Sequence, residues 1–130
     1  MDKYVSTVCL DFDGVVHQYV SGWKGYDTVL DPPIASTVKA IKKLRENGYR
    51  VVICTARSEH LDGHKAVVDW LKKYNIEVDD VCATKPTAMI YIDDRAVTYV
   101  PDMDICEVVK SFKPWVKKGY YKEKVMKGEL

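Results

Sequence analysis

The sequence predicts an α/β protein: one Rossmann-like, doubly wound parallel sheet of about five strands flanked by helices. Three observations carry this. Short β-branched apolar runs recur along the chain, helix-period stretches separate them, and two of the runs end abruptly in aspartates. At 130 residues, 47% of them apolar, the chain fits a single domain over 1–130 that can bury a proper core, with a core at about 5–113 and a basic, aromatic tail at 114–130.

Val5 to Leu10 reads as the first strand. Ile34 to Asn47 reads as a helix: Ile34, Val38, Ile41 and Leu44 form one stripe, Pro32 and Pro33 precede it, and Gly48 ends it. Arg50 to Cys54 is the second strand. Lys65 to Tyr74 is the second helix, with Val67, Val68, Trp70 and Leu71 on its apolar side. Val78 to Ala83 gives a short third strand, Met89 to Ile92 a fourth and Val97 to Val100 a possible fifth. A last helix begins near Asp104, an acceptable N-cap, and falters near Pro114.

Composition excludes several classes. A net charge of +1 gives no overall pull toward nucleic acid or membrane, and no apolar run approaches the roughly 18–20 residues a membrane span needs. The start, Met1-Asp2-Lys3-Tyr4, lacks a signal-peptide pattern, so the expectation is a soluble, cytoplasmic protein. Cys9, Cys54, Cys82 and Cys106 have no C-x-x-C spacing, and the first three sit in strand-like runs. They read as small buried hydrophobes rather than a disulfide framework or zinc site.

The chemistry sits at the strand ends. Strand one ends in Asp11-Phe12-Asp13-Gly14 and strand four in Asp93-Asp94, while strand two ends at Thr55 and Arg57 and strand three leads to Lys85. Ligands of open α/β sheets bind outside the carboxyl ends of the strands, so these residues converge. Taken singly, each has a plainer role: a turn for the aspartates, a cap for Thr55, a solvated lysine, an Arg57–Glu59 pair. Four carboxylates gathered together repel unless a cation lies among them, which implies a hard divalent ion, most simply Mg²⁺.

Leu10-Asp11-Phe12-Asp13-Gly14-Val15, Ile53-Cys54-Thr55-Ala56-Arg57, Lys85-Pro86 and Tyr91-Ile92-Asp93-Asp94-Arg95 resemble the four motifs of the haloacid dehalogenase superfamily, across about residues 5 to 100. The resemblance implies a phosphatase. Asp11 would be the nucleophile that forms an aspartyl-phosphate, and Asp13 the general acid and base. Thr55 and Lys85 would serve the phosphoryl oxygens, with Thr55, Ala56, Arg57 and Lys85 as the substrate-binding set. Mg²⁺ would be held by Asp11, the Asp13 backbone carbonyl and Asp94, with Asp93 acting through water or orienting the others. Two departures stand out: Val15 replaces the threonine of many relatives, and Lys85 follows strand three almost directly.

Only 17 residues, Val15 to Asp31, separate Gly14 from Pro32, enough for a flap with Gly22, Trp23, Gly25 and Tyr26 but not for a cap domain. This resembles the capless branch, whose open sites admit large substrates. The second and fourth motifs are also similar to phage-type polynucleotide 3′-phosphatase domains. The expected partner is therefore a phosphorylated substrate: a nucleotide, a nucleic-acid end or a small phosphomonoester, with no membrane. Arg57 and Arg95 could hold a phosphate or be ion-pair partners. His17 could contact substrate or assist proton transfer, and is otherwise a surface residue; His60 and His64 read as loop residues entering helix two rather than a metal site. From Lys110 onward seven lysines interleave with Phe112, Trp115, Tyr120 and Tyr121, a pattern that suits an amphipathic terminal piece or a nucleic-acid contact. Two other classes fit the sequence less well. A phosphoacceptor signalling domain would need an aspartate ending strand three, where Ala83-Thr84-Lys85 stands, and a non-catalytic binding module would be expected to lack Asp11 or Asp13.

Overall fold

The computed structural model describes residues 6–115. The four strands are β1 (Thr7–Asp11), β2 (Arg50–Cys54), β3 (Asp80–Cys82) and β4 (Ile90–Ile92); the helices are α1 (Ala35–Glu46), α2 (Leu61–Lys73) and α3 (Ile105–Ser111), with a 3₁₀ turn at Ala56–Glu59. All pairings are parallel and the sheet order is β3-β2-β1-β4. The sheet grows one way from β1 through β2 and β3, then reverses to place β4 on the other side of β1. The crevice between the ends of β1 and β4 is thus the topological switch point, where ligands of such sheets bind.

Alternation decides what each face buries. Val8 and Leu10 of β1 pack with Val51 and Ile53 of β2 beneath Ile41 of α1 and Val67, Trp70 and Leu71 of α2, so both long helices cover this face. Val51, Val52 and Ile53 are fully buried, each worth about 1.5–3 kcal/mol of apolar transfer. On the other face the β3–β4 connection, residues 83–89, crosses as a loop: Cys54 Sγ meets the Ala83 carbonyl at 3.7 Å and Lys85 Nζ lies 4.2 Å from the Tyr91 ring centroid.

The first helix ends as its sequence requires. Gly48 takes φ +88, its N–H bonds to Arg45 O, and the Tyr49 N–H reaches back to Leu44 O, the paired bonds of a Schellman cap. Helix α2 starts at Leu61, four residues earlier than the sequence suggests. Gly63, which looks like a loop residue, lies inside the first turn because the helix presses on the 3₁₀ turn: a Cβ at Gly63 would overlap the Arg57 carbonyl. The expected fifth strand does not form. Residues 97–100 carry strand-forming side chains but join no ladder, and a turn at Pro101 and Asp102, the latter at φ +69, leads to α3. Asp104 caps α3 as anticipated, its Oδ1 accepting the Glu107 N–H at 3.1 Å, and the helix ends before Pro114. Residues 116–130, and with them most of the basic tail, lie outside the described residues. Among the described residues no helix is long and apolar enough to cross a membrane.

Candidate active site at the switch point

Strand β1 delivers Asp11 as its last residue, and the chain then turns sharply: the Val15, Val16 and His17 N–H groups converge on the Phe12 carbonyl, while Gly14 N–H bonds back to His17 O. Gly14 has φ +85, and a Cβ there would collide with the Asp94 carboxylate. Glycine is needed for both reasons, and its absent side chain lets the β4 exit lie against the β1 exit.

Asp11, Asp93 and Asp94 each offer a carboxylate oxygen within 4.8 Å of the others. Burial pushes the Asp11 carboxyl up to about 8, with the neighbouring Asp93 charge and Asp94 adding to it. Asp94 is likewise raised, first by burial and then by Asp93. Its Oδ1 is buried without a hydrogen-bond partner. Asp93 differs: it is exposed, and its Oδ1 accepts the Arg95 N–H at 2.8 Å. An orphaned carboxylate oxygen inside an all-oxygen, acidic donor set fits a hard divalent cation such as Mg²⁺.

Asp13 faces a different environment. Arg57 Nε donates to Asp13 Oδ2 at 2.9 Å and Nη2 to Oδ1 at 3.2 Å, a bidentate pair. His17 Nδ1 lies 2.8 Å from Oδ1, and Asp31 N–H donates to His17 Nε2 at 3.0 Å, which places the ring proton on Nδ1, toward Asp13. Burial alone would raise the Asp13 carboxyl, but the hydrogen bonds from His17 and Arg57 and the Arg57 charge outweigh it and hold it below the ordinary range. Two carboxylates two residues apart are thereby driven in opposite directions, Asp11 toward its protonated form and Asp13 toward its ionised one.

The remaining expected residues are placed unequally. Thr55 is buried, accepts the Arg57 N–H on its hydroxyl at 3.2 Å, and so both caps the 3₁₀ turn and lines the site cavity, as does Ala56. Arg57 does not offer substrate a free fork. It is 1% exposed, and besides Asp13 it donates through Nη1 to the carbonyls of Gly25, Tyr26 and Thr28 at 2.9–3.0 Å, pinning the flap. Its partner is Asp13, not Glu59. Lys85 is exposed over Tyr91 and is not among the residues lining the cavity. His17 is a buried residue, not a surface one. His60 packs on Tyr26 and His64 meets Ser58 Oγ at 2.9 Å, so the two do not face a common ligand.

The cavity of about 200 Å³ is lined by Asp11, Asp13, Tyr19, Trp23, Thr55, Ala56, Arg57 and Arg95. Trp23 belongs to the expected flap and the sequence leaves His17 open to a role near Asp13, but Tyr19 and the specific His17–Asp13 contact escape sequence reasoning because the flap has no periodicity. The nearest signal is the density of aromatics between two glycines and a proline pair. Trp115 also returns to the site, its indole N–H donating to Gly14 O at 2.5 Å. A larger cleft of about 600 Å³ lies elsewhere, beside the end of α1 and residues 75–79. Arg45, Glu77 and Asp79 on its wall pair with one another, and it lies away from the acidic group at the strand ends.

No protein-family model matches the chain, and no curated protein matches it. A solved structure described as a conserved protein from Bacteroides thetaiotaomicron is similar, with a TM-score of 0.55 and 22% sequence identity, over 84% of this chain and 93% of that one. The likeness places the chain among α/β proteins with a parallel, Rossmann-like sheet.

Proposed function

We propose that the protein is a Mg²⁺-dependent phosphomonoester hydrolase of the haloacid dehalogenase type, working through an aspartyl-phosphate on Asp11. The observation that carries this reading is the acidic group at the switch point, Asp11, Asp93 and Asp94 with an orphaned Asp94 oxygen, and the Thr55 hydroxyl that shares a cavity with Asp11. Asp11 and Asp94 would hold the ion, with Asp93 and the Asp13 carbonyl completing the set. When bound, Mg²⁺ supplies the positive charge that lets a carboxylate approach a phosphate dianion.

An Asp11 oxygen attacks phosphorus, and the ester P–O bond breaks as the leaving oxygen takes a proton from Asp13. Water then attacks the phosphoryl group, gives its proton to Asp13, and releases inorganic phosphate and the Asp11 carboxylate. The Thr55 hydroxyl accepts the Arg57 N–H, so its own O–H remains to donate to a phosphoryl oxygen. Asp13 must loosen its Arg57 or His17 contact before it can carry a proton, and Lys85 must leave Tyr91 to reach the phosphate.

A second reading, a phosphate- or metal-binding module on this fold, is favoured by the same clamp, since an Asp13 locked as a carboxylate cannot act as an acid. Phosphate release from mononucleotides, sugar phosphates and 3′- or 5′-phosphorylated oligonucleotides, with Mg²⁺ and with EDTA, separates the two. Metal-dependent release that is lost in Asp11→Asn supports hydrolysis; metal-dependent binding without release supports the module.

A further inference from the structure

The flap places an aromatic surface beside the acidic site that the hydrolytic steps do not use. Trp23 lines the same cavity as Asp11 and Thr55. One face of its indole is covered by the Arg57 guanidinium, 4.8 Å from the ring centroid, and Tyr26 meets it edge-on at 4.9 Å and 87°. Yet Trp23 remains 49% exposed, so these two contacts leave much of the side chain open to solvent.

This is a fixed platform rather than a loose side chain. The guanidinium beneath it is held by Asp13 and by three flap carbonyls. Tyr26 is itself packed on the His60 ring at 3.9 Å. Tyr19 lines the same cavity and has φ +59, a left-handed conformation uncommon for a residue other than glycine. Arg95 completes the rim, and its guanidinium makes no hydrogen bond or ion pair among the described residues.

We infer that the open face of Trp23 is a stacking subsite, and that the site takes phosphomonoesters whose leaving group carries a planar ring. The inference rests on the phosphoryl position proposed above. A phosphoryl group at Asp11 and Thr55 leaves the rest of the ester at the mouth of a cavity of about 200 Å³, where the indole is the broad surface on offer. Nucleotides and aryl phosphates share this chemistry; sugar phosphates do not.

The test is calorimetric titration of Asp11→Asn, with Mg²⁺, using adenosine 3′-monophosphate, adenosine 5′-monophosphate, phenyl phosphate and ribose 5-phosphate, repeated with Trp23→Ala and Trp23→Phe added. A stacked ring should tighten binding roughly 5- to 100-fold over ribose 5-phosphate. Trp23→Ala should abolish that preference and Trp23→Phe restore most of it, while inorganic phosphate binds all three proteins alike. Preference for both adenosine esters and not phenyl phosphate assigns the subsite to nucleotides, and equal preference assigns it to planar rings generally. Equal affinity for ring-bearing and ring-free esters overturns the inference. So does a Trp23→Ala loss that falls equally on inorganic phosphate, which would make Trp23 a support of the flap. Turnover by the protein with intact Asp11 reports separately: ring preference without phosphate release overturns hydrolysis and leaves the subsite standing.

Discussion

Replacing Asp11 by asparagine should stabilise the protein in the absence of divalent metal. The Asp11 carboxyl binds its proton far more tightly in the fold, at about 8, than at its ordinary value of 3.8. Its contribution to stability is therefore fully present below pH 3.8, declines as pH rises, and is exhausted above about pH 8. At pH 7 the difference from 3.8 corresponds to about 4 kcal/mol, which water at the cavity mouth reduces to ~2 kcal/mol. Asparagine keeps the shape and never ionises, so it escapes this loss. For a domain of this size the gain is about 6 °C in Tm. Urea unfolding at pH 5, 7 and 9 in EDTA should show wild-type stability falling with pH while Asp11→Asn varies less. Mg²⁺ should then raise the stability of the wild type more than that of the variant. Parallel pH profiles, or an Asp11→Asn protein less stable than wild type at pH 7 in EDTA, would refute the argument that Asp11 is destabilised by burial and its acidic neighbours.

Other consequences follow from the clamp and the turn. Arg57→Ala leaves Asp13 without its ion pair and frees three flap carbonyls, so unfolding free energy should drop by about 3–5 kcal/mol and protease should cut the flap near residues 22–26. An unchanged urea midpoint would contradict this. Gly14→Ala must adopt φ +85 and displace Asp94; a penalty of about 1–2 kcal/mol from the backbone, together with loss of Mg²⁺-induced stabilisation, is expected in thermal melts with and without the ion. Asp13 has a depressed proton affinity, so it supports the fold above its ordinary 3.8 and that support fades as pH falls through its lower folded value. Acid unfolding followed by circular dichroism should show this limb flattened in Asp13→Asn.

The sheet was legible because its signals are local. The β-branched run at Arg50–Cys54 has the same bounds in the structure, and the Leu44–Gly48 helix end reads directly from the glycine. Asp11 at the β1 exit does meet Asp93 and Asp94 at the β4 exit, since parallel pairing in register carries Leu10 opposite Ile92, but Asp13, expected as the fourth carboxylate of that group, is held instead by Arg57 and His17. What the sequence hid depends on partners distant along the chain. Asp13 and Arg57 are 44 residues apart, and no spacing rule pairs them. Residues 97–100 have strand propensity yet join no ladder, and propensity alone does not make one. Gly63 looks like a helix breaker because its packing against the Arg57 carbonyl is a tertiary contact. Motif order predicts Lys85 at the phosphate, while the short crossing between β3 and β4 leaves it over Tyr91.

The central claim is that Asp11 becomes phosphorylated. The most direct measurement is rapid acid quench during turnover of a phosphomonoester with Mg²⁺, followed by borohydride reduction and mass spectrometry of the peptide containing Asp11 and Asp13. Conversion of Asp11 to homoserine, absent in EDTA and in the Asp11→Asn variant, is the predicted result. Metal-dependent turnover with no modification of Asp11, or with modification of Asp13 instead, would contradict the account.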